Sequence, residues 1–194
     1  MQRAAIMTAV SIIAVIILSL SIFAHNDSGK ERQKASTELK TSPVEIKENI
    51  ECKYYRKEDF ANIKIHSPKL DVGIIRGCIV PHHLLAKDLI HEVFQNVLNS
   101  GGKYETVVLI GPDHESTDKG KVFTTVKDWQ APAGILKTDS NITKKLLKNS
   151  FIFENDEKLT AEHSTSSIIP FIKYYMKDVN VITLVLTKQV KAEN

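Results

Sequence analysis

Cysteine is scarce in this sequence, and neither sign of charge dominates it. Only Cys52 and Cys78 occur among 194 residues, so a disulfide framework is excluded and at most one bridge can form. No CxxC pair or Cys/His cluster suggests structural zinc. The 26 Lys and Arg residues against 23 Asp and Glu leave a net charge of only +3, which gives no electrostatic reason to expect nucleic-acid binding.

The overall composition is that of an ordinary folded protein. Hydrophobic residues make up 42% of the chain and charged residues 25%, a balance that excludes a wholly disordered chain, a collagen-like repeat and a polytopic membrane protein. No internal repeat is present. The length allows one domain, or one domain with an appendage, but not two full cores.

The N-terminus carries a long apolar run. Residues 4–24 contain no charge, and a helix of that length spans roughly the 30 Å hydrocarbon core of a bilayer. The run exceeds the usual apolar region of a secretory signal, and Ile22 is a poor residue before a cleavage point after Ala24. We therefore expect an uncleaved transmembrane anchor at residues 1–24, with a cleaved signal as the alternative.

The charges around this run leave its orientation nearly balanced. Arg3 precedes it, and Lys30, Arg32 and Lys34 follow it. A short N-terminal tail before a large domain is typical of a signal-anchor, so we expect a single-pass protein of the cell membrane with its domain outside the cytoplasm. Residues 25–48 are polar, of mixed charge and without apolar periodicity, which predicts a solvated stalk. The folded domain is expected at 49–194.

From residue 73 onward the pattern predicts an α/β fold. Short apolar runs favour strands, and apolar residues at helical spacing favour a helix between the first two. Near-continuous apolar strands suggest a mostly parallel sheet flanked by helices. We expect the first, second and last strands in one sheet, with the first two parallel because a helix crosses between them. The predicted elements are strands 73–80, 106–111, 121–126 and 179–186, helices 84–98 and 166–176, a turn at 131–134, and a helix from about 142 capped by Asp139, Ser140 or Asn141.

Histidines follow two of these strands directly. Strand 73–80 leads into Pro81-His82-His83, and strand 106–111 leads into Pro112-Asp113-His114. A third histidine, His163, lies between Glu162 and Ser164 before the last predicted helix. Ligands of open α/β sheets bind beyond the carboxyl ends of parallel strands, and imidazole is a common ligand for iron, copper and zinc. The pattern therefore predicts a metal site there.

Alternatives remain at several positions. His83 could replace His82 as the ligand, and the Glu-His-Ser sequence could be a helix cap. Asp113 and Glu115 are expected beside the site or at the surface rather than as ligands. The remaining expectations are for residues without a role in the site: His25, His66 and His91 are read as solvent-facing or structural, His91 on the polar side of its helix, and Cys78 is read as a buried core thiol.

The same residues carry a family resemblance. GCIVPHHLLA, VVLIGPDHES, APAGILKTD and EHSTSSIIPFIKYY followed by VITLVL resemble the Memo family, called AmmeMemoRadiSam system protein B in bacteria. The family's fold is similar to that of class III extradiol dioxygenases. The resemblance covers about residues 73–187, and the ordered set of motifs is more specific than any one of them.

The resemblance implies a mononuclear iron or copper site. The family's first two metal-ligand histidines fall on His82 and His114, and the histidine near the acid/base position of the dioxygenases falls on His163. The resemblance does not fix the substrate, because both redox chemistry and phosphopeptide binding have been entertained for the family. A small-molecule or peptide ligand is expected, and the membrane is expected as a partner through residues 4–24.

Two departures from the family pattern bear on function. The family continues past strand 179–186 into a segment that carries a third metal ligand, so we expect either a truncated product or coordination completed by His163, water or a partner chain. The better-known members also lack the N-terminal anchor. The first functional hypothesis is a metal-dependent redox enzyme of the dioxygenase-like type, in which His163 moves a proton. The second is a non-catalytic binding module on the same fold, or a remnant of it.

Overall fold

The computed structural model describes residues 48–63, 73–115 and 118–190, together with the backbone of a strand at residues 13–18. These residues form a mixed α/β fold with a six-stranded sheet, a separate three-stranded sheet and flanking helices. The larger sheet positions the histidines. Its strands, in spatial order, are β3 (Gly77–Val80), β1 (Ile13–Leu18), β4 (Thr106–Pro112), β9 (Asn180–Leu186), β5 (Val122–Thr124) and β8 (Ile152–Glu154).

The smaller sheet and the helices complete the described chain. The smaller sheet has the order β2 (Ile50–Glu51), β6 (Trp129–Ala131), β7 (Gly134–Leu136). Buried apolar side chains from both sheets and from the helices form one hydrophobic cluster. The helices are α1 (Lys87–Asn99), α2 (Ser140–Leu146), α3 (Asp156–Ala161), α4 (His163–Ser166) and α5 (Ile169–Tyr175), with 3-10 turns at Lys57–Phe60 and Leu84–Ala86.

The three predicted principal strands do lie in one sheet. Strands β3 and β4 are both antiparallel to β1, so they run in the same direction, as predicted, although they are not neighbours. Strand β9 pairs directly with β4 in parallel. The expectation of a mostly parallel sheet was wrong, because β1 is antiparallel to both its neighbours and β5 is antiparallel to β9. Continuous apolar runs indicate burial on both faces but do not fix strand direction.

The structure describes only a part of the predicted transmembrane segment. Residues Ile13–Leu18 are extended in β1, and the other residues of the 4–24 segment lie outside the described chain. A run rich in Ile and Val suits a buried strand as well as an apolar helix, and periodicity alone does not separate the two. Within the described residues, no helix combines the length and the apolar character needed to cross a membrane.

The crossover helix begins later than predicted. Residues Leu84–Ala86 form a 3-10 turn, and α1 begins at Lys87. Its buried side chains include Ile90, Phe94 and Val97, whereas Leu85 and Leu89 of the same apolar pattern are exposed. The helical period was therefore read correctly, but the face that meets the core is shifted toward Ile90.

Two local predictions are confirmed. The Asp139 carboxylate accepts a hydrogen bond from the Ile142 N–H at 3.0 Å and caps α2. Pro170 lies in the first turn of α5, where its missing N–H costs no helical hydrogen bond.

Both cysteines are free thiols. Burial raises the pKa of Cys52 to about 12 and that of Cys78 to about 11, although Cys78 is only half-buried.

His91 corrects another expectation. It was predicted on the polar side of its helix, but its side chain is fully buried. Nε2 lies 2.8 Å from the carbonyl oxygen of Asp59, and Nδ1 lies 2.9 Å from the hydroxyl of Tyr175. Since a carbonyl only accepts, Nε2 carries the proton and Nδ1 accepts from the tyrosine. With the rings of Phe60 and Phe171 packed around the imidazole, these residues form what we name the His91 cluster.

Candidate metal centre

The carboxyl ends of β3 and β4 lie level at one edge of the sheet. Val80 at the end of β3 pairs with Ile13, and Ile110 near the end of β4 pairs with Ala14, the next residue of β1. His82 and His114 each follow two residues after the last residue of their strand. The topology therefore delivers both side chains to the same edge.

Helix α4 is held close against the end of β4. A Cβ atom at Gly111 would lie 2.6 Å from the Ser164 hydroxyl and 2.7 Å from Cγ2 of Thr165, so only glycine permits this approach. The Ser164 hydroxyl then donates to the carbonyl of Pro112 at 2.7 Å. The Ser167 hydroxyl, just after α4, donates to the carbonyl of His82 at 2.9 Å. The serines around α4 thus tie both strand ends to the segment that carries His163.

Four imidazoles meet at this position. The ring centroid of His82 lies 4.9 Å from that of His114 and 5.0 Å from that of His163, and the rings of His114 and His163 are 4.4 Å apart. The ring of His83 stacks on His82 at 4.7 Å. We name His82, His83, His114 and His163, together with Glu162, the histidine cluster.

Two overlapping sets of three potential ligands exist within the histidine cluster. His82, His83 and His163 form one set, and His114, Glu162 and His163 form the other. In each set, one ligand atom from every residue lies within 4.8 Å of the others. His163 belongs to both, so it is the central imidazole of the cluster.

His82 is the most unusual of these side chains. It is 1% exposed, and neither ring nitrogen has a hydrogen-bond partner among the described residues. Burial, and then the neighbouring imidazoles of His114 and His163, lower the pKa of His82 to about 4. The ring is therefore neutral near pH 7 and has a lone pair available. A buried polar group without a partner costs free energy, and a metal ion or an ordered water can supply that partner.

Glu162 is the hydrogen-bonding centre of the cluster. Its Oε2 accepts the backbone N–H of His114 at 2.8 Å, and its Oε1 accepts the backbone N–H of Ser164 at 2.8 Å. Oε1 also lies 2.9 Å from Nδ1 of His114 and 3.4 Å from Nδ1 of His163. Burial raises the pKa of Glu162, but the hydrogen bonds from His114 and Ser164 outweigh burial and leave it below its usual value. The carboxylate is ionised at neutral pH.

Charged and aromatic groups border the cluster on two sides. Asp113, nearly buried, makes a 2.9 Å ion pair with Lys158, as expected for a residue beside the site rather than a ligand. The ring of Tyr54 lies 5.9 Å from that of His163, and its hydroxyl donates to the carbonyl of Ala161 at 2.7 Å. Burial lowers the pKa of His163, so this imidazole is also largely neutral near pH 7.

The donor set fits a transition-metal ion. Neutral imidazoles with a nearby carboxylate suit iron, copper and zinc, and His82 has two buried nitrogens that no described residue satisfies. The ligand atoms of each set all lie within 4.8 Å of one another. The cluster is therefore a candidate metal centre.

The predicted site residues do converge. His82, His114 and His163 lie together, while their roles stay predictions. His83, kept as an alternative to His82, joins the same cluster. The sequence places Glu162 beside His163 in the Glu-His-Ser motif without giving it a role, whereas no sequence signal marks Tyr54. The remaining candidates are placed as follows: Glu115 is exposed, and His25 and His66 lie outside the described residues.

The family described as Memo-like protein matches residues 47–194 of this chain. A MEMO1 family protein from Pyrobaculum arsenaticum is 25% identical over 135 residues, covering 69% of this chain and 48% of the relative. Another, from Methanothermobacter thermautotrophicus, is 26% identical over 118 residues, or 59% and 42%. A third, from Saccharolobus islandicus, is 30% identical over 94 residues, or 47% and 33%. The chain thus spans less than half the length of these relatives.

Proposed function

The chain belongs to the Memo-like protein family, and from that premise we propose that its histidine cluster binds one iron or copper ion for a redox reaction. His82 and His114 are the proposed ligands, and His163 is the proposed proton carrier. The observation that carries the proposal is the buried imidazole of His82, whose two nitrogens have no partner among the described residues. A structural histidine at such a position would be hydrogen-bonded.

Each side chain would have a separate task. An iron or copper ion would supply electron transfer and a position for an oxygen-containing substrate. His82 is neutral at physiological pH because burial lowers its pKa, so no proton has to leave it when it binds metal. His163 is partly exposed, so it can exchange a proton with solvent. Its ring centroid also lies 4.4 Å from that of His114, which keeps it next to the proposed metal site.

Metal titration of the full chain tests this proposal. Protein purified without a metal-binding tag would be titrated anaerobically with Fe²⁺ and, separately, with Cu²⁺, and bound metal would be counted after gel filtration. We expect one ion per chain in the wild type and none in His82→Ala or His114→Ala. His83→Ala tests the alternative ligand, because His83 shares a set of potential ligands with His82 and His163, and it should retain the ion.

The remaining outcomes are equally informative. His163→Ala should retain metal but lose turnover, since a proton carrier affects rate more than affinity. Loss of the ion in His163→Ala would reassign that residue as a ligand. A wild-type protein that binds neither metal, or a His83→Ala variant as defective as His82→Ala, would contradict the proposed ligand set.

Ligand binding without turnover is the second candidate. It is favoured by a cleft beside the histidine cluster, lined by Asp113, Glu115, Glu157, Lys158 and Glu162 among others. Its carboxylates outnumber its single ammonium group, so the cleft suits a ligand that carries positive charge. Metal-dependent binding of a lysine-rich peptide, without oxygen consumption in the presence of a reductant, would favour this candidate over the redox enzyme.

Membrane attachment through residues 4–24, with the domain outside the cytoplasm, is a separate proposal that rests on the sequence. Strand β1 takes Ile13–Leu18 into the sheet, so the same residues cannot be in the sheet and in a bilayer at once. Carbonate extraction of cell membranes tests the two arrangements. An anchored chain stays in the pellet, whereas a chain with β1 in its sheet is released.

A further inference from the structure

We propose that Glu162 is a positioning residue that keeps the proton of His114 on Nδ1 and so leaves Nε2 as the metal-binding nitrogen. This inference rests on the proposed function, because it gives His114 its tautomer for that role. Glu162 contacts His114, the proposed metal ligand, and is not itself proposed to bind the metal. Glu162 is 5% exposed, so water competes little for its oxygens.

The first step is that the carboxylate can only accept from His114. Oε2 already accepts the backbone N–H of His114, and Oε1 already accepts the backbone N–H of Ser164, each at 2.8 Å. Nδ1 of His114 lies 2.9 Å from Oε1. An ionised carboxylate has no proton to donate, so Nδ1 must be the donor. In the neutral ring, Nε2 then carries no proton.

The second step is that the same carboxylate also fixes the direction of the ring. Glu162 binds both the backbone N–H and the side chain of His114, and these two contacts restrict the side-chain torsions of that residue. Glu162 is itself fixed, because it is the N-cap of α4, whose Ser164 hydroxyl is bonded to the carbonyl of Pro112. Metal-binding histidines commonly have their second nitrogen held by a carboxylate in this way.

The third step separates this role from direct coordination. Glu162 belongs by distance to a set of potential ligands, but both of its oxygens already accept backbone hydrogen bonds. Oε1 accepts from Ser164 and from His114, and Oε2 accepts from His114. Each carboxylate oxygen has two lone pairs, so coordination through Oε1, which already accepts two hydrogen bonds, would weaken at least one of these contacts. The hydrogen bonds therefore favour positioning over ligation.

The experiment reads the tautomer directly in the metal-free full chain. Long-range ¹H–¹⁵N correlation spectra would be recorded on protein with ¹⁵N-labelled histidine at about pH 8, where an ordinary imidazole is neutral. Signals of His114 would be assigned by their loss in His114→Gln. We expect the proton on Nδ1 in the wild type. A wild-type His114 with its proton on Nε2 would overturn the proposal without any further variant.

A variant pair then tests the consequence for metal binding, with Zn²⁺ as the probe. Glu162→Gln places an amide NH₂ against either the His114 or the Ser164 backbone N–H, whichever way the amide is turned. We expect a mixed tautomer at His114 and Zn²⁺ affinity lowered by about 10- to 100-fold. Glu157→Gln removes the same charge from the exposed side of the adjacent cleft and should change neither quantity.

Several other results would contradict the positioning role of Glu162. Unchanged Zn²⁺ affinity in Glu162→Gln would overturn the proposal. A Glu162→Gln variant that keeps the pure Nδ1–H tautomer at His114 but loses Zn²⁺ affinity would also overturn it, because Glu162 would then be a ligand. An equal loss in Glu157→Gln would point to charge and not to position. If the wild type shows the Nδ1–H tautomer but binds no Zn²⁺, Fe²⁺ or Cu²⁺, the proposed function fails while the positioning contact stands.

Discussion

His91 and His82 are both fully enclosed, yet their hydrogen bonding is opposite. In the His91 cluster, the ring nitrogens meet the carbonyl of Asp59 and the hydroxyl of Tyr175. In the histidine cluster, both nitrogens of His82 lack a partner among the described residues. Burial lowers the pKa of both rings. Burial of a histidine therefore does not by itself indicate a site, whereas burial without a partner among the described residues marks His82 as a candidate ligand.

The two imidazoles also have different neighbours. Aromatic rings of Phe60 and Phe171 pack against His91 and leave it a purely structural role. The rings next to His82 are other imidazoles, with a carboxylate one residue from His163. We therefore expect the His91 cluster to support the fold and the histidine cluster to bind a ligand.

The largest expected effect is on folding stability at His91. His91→Phe keeps an aromatic ring but leaves the Asp59 carbonyl and the Tyr175 hydroxyl without their partner, so the free energy of unfolding should fall by about 2–4 kcal/mol. Urea unfolding of the metal-free protein at about pH 8 measures this. A loss below about 0.5 kcal/mol would mean that the His91 cluster is not a structural support.

The next effect is stabilisation by metal. Zn²⁺ at about 100 times its dissociation constant should raise the free energy of unfolding of the wild type by about 2.7 kcal/mol. His82→Phe should show no such increase, because its site lacks a proposed ligand. Thermal or urea unfolding with and without the ion measures the difference. Equal stabilisation of both proteins would place the ion elsewhere in the chain.

The unfolding free energies of the wild type and His82→Phe should depend differently on pH below about 6.5. The folded pKa of His82 is about 4, below the ordinary value near 6.5, so the unfolded chain binds more protons between these pH values. Stability should therefore fall as pH decreases from about 6.5 to 4 and be independent of this group above that range. In His82→Phe the fall should be smaller by on the order of 2 kcal/mol. Identical pH curves of unfolding free energy would refute the buried neutral ring.

The smallest expected effect is that of His82→Phe on the metal-free protein at about pH 8. Because the ring nitrogens of His82 make no hydrogen bond to any described residue, an apolar ring should change the unfolding free energy by less than about 1 kcal/mol, and in the stabilising direction. Urea unfolding alongside His91→Phe gives the direct contrast. A loss as large as that at His91 would show that His82 supports the fold.

The sequence predicts the position of His82 in this comparison, but it does not predict the surroundings of His91. The strand-Pro-His motifs at His82 and His114 predicted a shared edge, since strand direction follows from the crossover helix, and the structure confirms that edge. His91 was misread because its neighbours along the helix are polar. Its partners Asp59 and Tyr175 are distant in sequence, and no local pattern reports such a contact.

The fold was predicted unevenly for similar reasons. Long apolar runs marked β3, β4 and β9, whereas the three-residue strands β6, β7 and β8 have too few residues to show a period. The length of segment 4–24 and its lack of charge predict a helix, whereas the part of it that the structure describes, Ile13–Leu18, is a strand. Pairing of β1 with β3 and β4 depends on distant partners, which no local propensity encodes.

The proposal that His82, whose ring nitrogens have no partner among the described residues, is a metal ligand can be tested by anomalous scattering from crystals soaked in Zn²⁺ or Fe²⁺. We expect one strong peak about 2.0–2.2 Å from a nitrogen of His82, with a second contact to Nε2 of His114. A metal-loaded crystal with no peak at the histidine cluster, or one in which ordered water satisfies both nitrogens of His82, would contradict it.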